Sequence, residues 1–347
     1  MRAIEPKRRI TAVLRVLLGA GMLAAAGCDS PQNYMFNTAG PAASMLARLG
    51  WQGLIAFTAA TLITCGLILW LALRRRGTLA EHAPIDVNGG QSWILIGGFA
   101  IPFAVLTFLF ISTMDTLAAF PIMDHHAQLP DIIVTGHQWW FDVSYRFAGR
   151  PSDTIDTDTE IHVPVGRPMT LQLQSADVIH SFWIPKLHGK VDLIPGEHNF
   201  IRIQADRPGT YLGECAEYCG EQHAHMRLMV IAQPPQQYQA WLAHMREDAR
   251  APADAFASHG EQVFLNSACP LCHRVRGSVA GGQLGPELTH IGSHRTLAGG
   301  ELANTTGNLA AWITSAQTLK PGAQMPNITA LDGADLRALV AYLQSLK

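Results

Sequence analysis

The chain has 347 residues, of which 48% are hydrophobic and only 15% are charged. This composition is too apolar for an ordinary soluble protein, and the length is sufficient for two or three domains. The 25 basic and 27 acidic side chains nearly cancel to a net charge of −2. Because there is no basic excess to attract phosphates, we expect no nucleic-acid partner.

The first 27 residues have the pattern of a secretory signal. A basic cluster at residues 7–9 precedes an apolar run, which ends in small residues just before Cys28. This arrangement is typical of exported proteins and, with a cysteine at the cleavage site, of lipoproteins. We expect Cys28 to become a lipidated N-terminus, followed by an exported segment over residues 28–50. A third short membrane helix is the alternative for residues 1–27.

Two uncharged stretches follow, and each is long enough to cross a bilayer. Residues 51–73 and 93–114 are therefore predicted transmembrane helices that form a hairpin. The arginines at positions 74–76 favour a cytoplasmic location for the connector, residues 74–92. Everything after residue 114 then lies on the periplasmic or extracellular side of a bacterial inner membrane, and membrane lipid surrounds the hairpin.

Residues 116–235 alternate short β-branched runs with turn signals such as Pro195-Gly196 and Pro208-Gly209, which predicts an all-β sandwich. The predicted strands cover residues 131–135, 160–163, 169–174, 200–204 and 226–232.

The sandwich segment is acidic, with 8 basic against 14 acidic residues. An acidic surface would attract a basic partner such as a small cytochrome c. The alternative for its densest cluster is a solvated loop. That cluster consists of Asp153, Asp156, Asp158 and Glu160.

The last third of the chain changes to helical periodicity. Residues 236–255 are predicted to form a short helix and an Ala/Pro/Asp-rich linker. Residues 256–347 are predicted to form an all-α domain with helices over 255–268 and 335–346, and with mostly loop over 274–308. If the linker is flexible, this last domain could move freely relative to the sandwich.

One short segment concentrates soft metal ligands: Cys215-Ala-Glu-Tyr-Cys219-Gly-Glu-Gln-His223-Ala-His-Met226. Thiolate and thioether favour copper, and imidazole suits both copper and zinc, so this donor set indicates copper. His180, at the end of an earlier strand-like run, is the candidate for a further ligand. A Cys215–Cys219 disulfide is the alternative, since pairs of cysteines in exported proteins are often bonded.

A second motif, Cys269-Pro-Leu-Cys272-His273, matches the pattern that attaches a c-type haem covalently. The two thiols would bond the porphyrin, and His273 would bind iron. Met325, in a Pro/Gly loop about fifty residues downstream, is the candidate sixth ligand, since His/Met ligation is typical of cytochromes c. A redox dithiol or half a zinc site are alternatives, and His290 and His294 are rival axial ligands.

Together these motifs resemble a known family. Residues 180–196 (HSFWIPKLHGKVDLIPG) and 215–226 (CAEYCGEQHAHM) are similar to the cupredoxin domain of cytochrome c oxidase subunit II, and residues 256–347 resemble a class I cytochrome c domain. The resemblance covers residues 28–245 for the oxidase part. It implies a multidomain membrane protein with a two-helix transmembrane hairpin, an all-β cupredoxin sandwich and an all-α cytochrome c domain.

The resemblance also implies cofactors and site residues. It implies a binuclear copper A centre, one covalent haem c, and a magnesium ion at the contact with subunit I that the Glu217 side chain approaches. Trp139 would receive electrons from the donor, and Pro286 would orient the proximal histidine through its carbonyl. The implied copper ligands are Cys215 and Cys219 as bridges, His180 and His223 as terminal ligands, and Met226 and the backbone carbonyl of Glu217 as weak ligands. His225 is a rival for His223.

The function implied is that of subunit II of a caa-type cytochrome c oxidase, a proton-translocating oxidoreductase. Electrons from a cytochrome c or a cytochrome bc complex would pass through haem c and copper A to subunit I, which assembles with subunit III and reduces oxygen to water. Two alternatives stay open. One is the electron-accepting subunit of a copper A-containing nitric oxide reductase, and the other is a copper-delivery or thiol-redox assembly protein.

Overall fold

The computed structural model describes residues 35–74, 90–120, 129–147 and 150–347. The predicted signal segment, Cys28 and most of the predicted cytoplasmic connector lie outside these ranges. The chain forms two compact units, one over residues 42–121 and the other from the remaining residues. The two units are described separately.

The first unit consists of two long apolar helices, α1 (Pro41–Leu73) and α2 (Gln91–Ala119), each long enough to span a membrane. Helix α1 begins ten residues before the predicted spanning segment at residue 51. Residues 41–50 are rich in alanine and leucine, which favour helix on either side of a membrane boundary. Helix α2 contains a π-helical segment, Ile94–Ala100. It continues beyond the predicted end at residue 114 because residues 117–119 are leucine and alanine, which favour helix.

The second unit begins with a sandwich of two five-stranded sheets. One sheet has the order β3-β2-β1-β5-β8 and the other the order β4-β10-β9-β6-β7. The strands are β1 (Ile132–His137), β2 (Trp140–Phe147), β3 (Arg150–Asp158), β4 (Glu160–Pro164), β5 (Met169–Ser175), β6 (His180–Trp183), β7 (Val191–Leu193), β8 (Asn199–Ile203), β9 (Gly209–Cys215) and β10 (Arg227–Gln233).

Alternating side chains of these strands fill the space between the sheets. In β1, Ile132 and Val134 are fully buried, and they lie opposite Leu171 and Leu173 of the parallel neighbour β5. This period of two is what an antiparallel or mixed sheet requires when one face is packed and the other is not. Burial of these side chains fixes the strand register, and with it the positions of the strand ends that carry the candidate ligands.

A short helix, α3 (Pro235–Met245), follows the sandwich and packs on it. Its buried residues Tyr238, Leu242 and Met245 join the sandwich core. Trp241 stacks on His162 with the ring centroids 4.1 Å apart. The predicted helix therefore belongs structurally to the sandwich, and the linker begins after it.

The last domain is helical, with α4 (Ala255–Asn266), α5 (Cys269–Cys272), α6 (Thr306–Leu319), α7 (Gly333–Ser345) and a small ribbon of β11 (Thr296–Leu297) and β12 (Leu302–Ala303). Helices α4 and α7 cross closely because Gly260 has no side chain. A Cβ atom there would overlap the carbonyl of Ala338. Beside this crossing Phe264 packs on Tyr342, with ring centroids 5.8 Å apart. The predicted fold class is confirmed: two apolar helices, a β-sandwich and a helical last domain.

Candidate metal centre and haem cavity

Two buried sulfur atoms form the middle of the candidate metal centre. Cys215 is the last residue of β9, and Cys219 lies in the loop that follows. Their Sγ atoms are 3.7 Å apart, and both side chains are almost fully buried. A disulfide needs a separation near 2.05 Å, so the two cysteines are free thiols in this structure.

The remaining predicted ligands surround this sulfur pair. His180, at the start of β6, points Nδ1 at Cys215 Sγ from 3.9 Å, and the Glu217 carbonyl lies 3.3 Å from the same sulfur. On the other side, His223 Nδ1 and Met226 Sδ lie 3.6 and 3.9 Å from Cys219 Sγ. Each sulfur therefore has its own imidazole and its own weak donor.

The strand pairing explains this convergence. Phe182 of β6 lies opposite Cys215 of β9, which brings His180 beside the thiol. Gly136 of β1 leaves space for the imidazole, because a Cβ atom there would lie 2.6 Å from His180 Cδ2. Thus two segments distant in sequence place metal-binding donors around one buried point, and a third segment leaves room for the imidazole.

The chemistry of the donors fits copper. The ligand atoms of His180, Cys215 and Cys219 all lie within 4.8 Å of one another, and the three residues are buried. A hydrogen bond from the Cys219 thiol lowers the pKa of Cys215 to about 3, and the same contact raises the pKa of Cys219. Cys215 thus readily provides a thiolate, the form that binds metal, while the Cys219 thiol keeps its proton in the metal-free site.

Asp177, which was not predicted as a site residue from the sequence, orients His180. Asp177 Oδ1 lies 2.7 Å from His180 Nε2. Asp177 Oδ2 accepts a hydrogen bond from the backbone N–H of Gln138 at 2.7 Å. Metal-binding histidines commonly use their second nitrogen in this way, which fixes the ring and makes it a better ligand. In the sequence, an aspartate three residues before a candidate histidine ligand could have indicated this role.

The side chains of Glu217 and His225 lie near the centre but form ion pairs instead of approaching the sulfurs. The Glu217 carboxylate lies 3.6 Å from Lys190 Nζ, and Asp192 approaches the same ammonium at 3.8 Å, so these exposed side chains form a polar group beside the centre. His225 pairs with Glu301 of the last domain at 3.0 Å. It is therefore not among the donors around Cys215 and Cys219, and the position of His223 agrees with the ligand spacing.

A cavity of about 450 Å³ lies beside the Cys-x-x-Cys-His motif. Cys269, Cys272, His273 and Met325 all line it, so the structure brings together the four residues predicted for haem attachment and ligation. Most of its other lining is apolar, as in Leu271, Leu284, Trp312 and Ile328. Both thiols and both candidate iron ligands face one apolar space, which fits a covalently attached haem.

Local contacts orient the two candidate iron ligands. His273 Nδ1 lies 2.8 Å from the Pro286 carbonyl, the contact that the resemblance implies, which leaves Nε2 available to a metal. Gly285 permits this approach, because a Cβ atom there would lie 2.7 Å from the His273 ring. The Met325 loop is held by the Gln317 side-chain amide, which donates to the Met325 carbonyl at 2.7 Å.

The rival axial ligands are wrong, because both histidines point elsewhere. His294 Nδ1 lies 2.8 Å from Asp158 of the sandwich. His290 Nε2 lies 3.2 Å from the carbonyl of Glu247. Both histidines therefore contact residues that precede the last domain in the chain, and neither of them lines the cavity.

Trp139 connects the two candidate sites. Its side chain lines the haem cavity and is only 7% exposed. On its other side, Nε1 donates to the carbonyl of Cys219 at 3.0 Å. Gly220 and Gly322 make room for the ring, since a Cβ atom at either would lie 3.1 Å from it. One indole thus contacts both the cavity and the backbone of a candidate copper ligand.

The acidic cluster of the sandwich is neither a solvated loop nor a free docking surface for another protein. Its residues lie on β3 and β4, and the last domain contacts Asp156, Asp158 and Glu160, whereas Asp153 pairs with Arg246 near the end of α3. Asp156 pairs with Arg274, and Asp158 pairs with His294. The Glu160 carboxylate accepts hydrogen bonds from the backbone N–H groups of Arg295 and Thr296 at 2.6 and 3.0 Å.

A rigid interface also contradicts the expectation of a freely moving last domain. Besides the acidic cluster, Arg227 N donates to the Gly299 carbonyl at 2.9 Å, and Arg295 donates to Thr210 Oγ1 at 2.6 Å. The linker is anchored as well, because Arg276 donates to the Met245 carbonyl at 2.6 Å. The sequence could not show this, since hydrogen-bond partners in this interface lie up to 181 residues apart.

The interface makes stability dependent on pH through Asp142. Burial, reinforced by the charges of Asp156 and Asp158, raises the pKa of Asp142 from 3.8 to about 7, although Arg274 opposes this. Between these values the folded chain binds more protons than the unfolded chain, so this group's contribution to stability falls as pH rises from about 4 to 7.

We therefore predict that Asp142→Asn stabilises the protein at pH 8 by about 1–3 kcal/mol and has little effect near pH 4. Thermal unfolding of the full-length protein and the variant across this pH range measures the difference. An equal effect of the substitution at both ends of the range would contradict the assignment.

Comparisons with known proteins agree with both parts of the second unit. A family model described as cytochrome c oxidase subunit II, periplasmic domain, matches residues 147–233, and a cytochrome c model matches residues 257–347. Cytochrome c oxidase subunit 2 of Alkalihalophilus pseudofirmus is 36% identical over 281 residues, which cover 80% of each chain. Its counterpart in Bacillus subtilis is 26% identical and covers 96% of this chain and 97% of its own length.

Among solved structures, the periplasmic domain of subunit II of the Bradyrhizobium japonicum oxidase is 28% identical. The match covers 34% of this chain and 96% of that domain, with a TM-score of 0.31. The family assignment therefore rests on the sequence matches.

Proposed function

Because the chain belongs to the family of cytochrome c oxidase subunit II, with a cytochrome c domain at its C-terminus, we propose that it is the electron-accepting subunit of a caa-type respiratory oxidase. The observation that carries this proposal is Trp139, which contacts both the haem cavity and the loop of the candidate copper centre. A single chain then contains two electron-transfer sites with one side chain between them.

We propose that the sulfur pair holds a binuclear copper A centre. Cys215 and Cys219 would bridge the two ions. His180 and the carbonyl of Glu217, which lie near the Cys215 sulfur, would bind one ion. His223 and Met226, which lie near the Cys219 sulfur, would bind the other. Bound to these thiolates, imidazoles and weak donors, copper would supply a carrier for one electron, and the weak donors would adjust its potential. Asp177 would keep the His180 ring in its binding orientation.

In the last domain, Cys269 and Cys272 would form the covalent bonds to haem c, with His273 and Met325 as the axial ligands. The Pro286 carbonyl holds the His273 ring, and the apolar lining excludes water from the iron ligands. When bound, haem c and copper A supply carriers that accept and release one electron at a time. Trp139 provides the proposed path between them.

The partners follow from this role. Subunit I would receive the electrons and reduce oxygen to water with proton translocation, in a complex that also contains subunit III. A cytochrome c or a cytochrome bc complex would donate electrons to haem c. Glu217 and Asp192 lie together on the exposed side of the candidate copper centre, where the proposed magnesium ion at the contact with subunit I would bind.

The arrangement in the membrane is proposed on the same basis. Helices α1 and α2 would anchor the chain in the bacterial inner membrane, with the sandwich and the cytochrome c domain on the periplasmic or extracellular side. Residues 1–27 would be a signal peptide, and Cys28 the lipidated N-terminus.

Metal and haem analysis of the purified full-length chain tests the proposal. We expect two copper ions and one covalent haem per chain, with a near-infrared band of a mixed-valence copper pair. One copper or none, together with a Cys215–Cys219 disulfide, would instead favour the copper-delivery or thiol-redox class. The catalytic subunit that copurifies distinguishes an oxygen reductase from a nitric oxide reductase.

A further inference from the structure

Lys320 is an unusual residue in the interface between the sandwich and the cytochrome c domain. It follows helix α6 and is only 2% exposed, although lysine is almost never fully buried without a partner. Its ammonium donates to the carbonyl oxygens of Trp139, His225 and Ala298, at 2.8, 2.9 and 2.7 Å. All three acceptors belong to the backbone.

The three acceptors connect the parts of the chain that carry the two proposed electron-transfer sites. Trp139 lies in the turn between β1 and β2 and lines the haem cavity. His225 lies between the candidate copper ligands His223 and Met226. Ala298 belongs to the cytochrome c domain, in the loop between β11 and β12. One ammonium therefore fixes the position of this loop relative to both Trp139 and the copper segment.

The adjoining glycines show how tightly these loops fit together. Gly299 has φ +68°, and a Cβ atom there would lie 2.8 Å from Lys320 Nζ and would overlap the Trp139 carbonyl. Gly300 has φ +85°, and its Cβ would lie 2.9 Å from Arg227 Cβ. Glycine is needed here both for the positive φ and for the close approach of two backbones.

The charge of Lys320 makes these contacts strong. Burial lowers the pKa of Lys320 to about 8, so the ammonium is still mostly protonated at pH 7. Hydrogen bonds from a charged donor are stronger than those from a neutral donor. Removal of the ammonium would take this donor away from three carbonyl oxygens in the interface, which costs free energy. Loss of the ammonium would therefore loosen the interface at Trp139 in particular.

We propose that Lys320 is a positioning residue for electron transfer within the chain, which holds the cytochrome c domain against Trp139 and the copper segment. This inference rests on the proposed function. It adds that a single buried cation sets the geometry between the two sites.

The test compares Lys320→Met in the full-length chain with Arg337→Met, which also removes one positive charge but from the exposed surface of α7. The first measurement is hydrogen exchange at the amides of Arg227, Arg295 and Thr296, which donate across the interface. We expect exchange at these amides to be at least about tenfold faster in Lys320→Met, since each hydrogen bond to a charged group is worth that factor or more. Paired amides of β1 and β2 should stay protected.

The second measurement is the rate at which copper is reduced after photoreduction of the haem. We expect this rate to fall at least about tenfold in Lys320→Met, the effect of about 1.4 kcal/mol on a barrier, with unchanged copper and haem content. Gly299→Ala keeps the lysine in the chain but crowds its ammonium and pushes the loop off Trp139, so it should have the same two effects. Arg337→Met should have neither.

Wild-type exchange and wild-type rate in both Lys320→Met and Gly299→Ala would overturn the inference. Failure of the proposed function is distinguishable, because copper and haem analysis of the wild-type chain tests that function, whereas the exchange comparison between wild type and Lys320→Met does not require copper. A loss of protection throughout the sandwich would mean that Lys320 supports the fold in general, which would also contradict a positioning role.

Discussion

Cys219→Ser should abolish the mixed-valence copper pair and leave the haem in place. The Cys219 sulfur is the atom that Cys215, His223 and Met226 all approach, at 3.6 to 3.9 Å. A hydroxyl oxygen is a harder donor than a thiolate and does not bridge copper in the same way. We expect the near-infrared band to disappear, the copper content to fall to one ion or none, and turnover of the assembled oxidase to fall by more than about 100-fold, beyond the 10–100-fold typical of outer-shell changes.

Cys65→Ser is the matched control, because Cys65 is a free cysteine in helix α1 and is exposed there. This variant should retain two coppers, the near-infrared band and normal turnover. Covalent haem should be unchanged in both variants, since Cys269 and Cys272 are separate from the copper donors. A Cys219→Ser protein that still binds two coppers with the same band would contradict the assignment of bridging ligands.

Trp139→Leu should slow electron transfer between haem and copper while both cofactors stay bound. The substitution removes the ring that lines the haem cavity and the N–H group that donates to the Cys219 carbonyl. We expect the internal rate to fall at least about tenfold, equivalent to about 1.4 kcal/mol of barrier. Loss of the buried ring should also destabilise the fold, by less than the about 3–5 kcal/mol of a Trp→Ala change, because leucine fills part of the space.

Trp241→Leu separates these two effects. Trp241 packs on Tyr145 and His162 at the other side of the sandwich, with ring centroids 5.1 and 4.1 Å away. It should lower stability without changing the rate of copper reduction. If Trp139→Leu and Trp241→Leu slow the reaction equally, the rate loss reflects general destabilisation, and Trp139 is not the path.

The candidate ligands could be predicted from the sequence because most of them are local. Cys215, Cys219, His223 and Met226 lie within twelve residues, and Cys269, Cys272 and His273 within five, so their spacing alone indicates a metal segment and a haem motif. The distant candidates His180 and Met325 were less certain from the sequence alone, because rival histidines were available, and the family resemblance supported them. Their positions depend on strand pairing and loop packing, which no local pattern reveals.

The acidic strand β3 shows why other elements were missed. Its sequence, Arg-Pro-Ser-Asp-Thr-Ile-Asp-Thr-Asp, has few of the apolar residues that mark a strand, so it resembles a loop. It forms a strand because β2 pairs with it and because Arg274 and His294 of another domain neutralise its acids. Charged residues that face a partner domain look like surface residues until that domain is known.

Helix α6 and Lys320 were missed for related reasons. The helix begins at Thr306 after a stretch rich in glycine and threonine, and the buried Leu309 and Ile313 give a weak periodic signal. A lysine at the end of a helix is normally a surface residue, so nothing in the sequence marks Lys320 as buried. Its role depends on three backbone carbonyls, which have no signature in a sequence.

Electrons should pass within one chain, from its own cytochrome c domain to its proposed copper centre. The most direct test is photoreduction of the haem in the purified full-length chain, followed by the rate of copper reduction over a wide range of protein concentrations. We expect a first-order rate that is independent of concentration, because the interface holds the two sites together. A rate that rises in proportion to concentration, or no copper reduction at all, would contradict it.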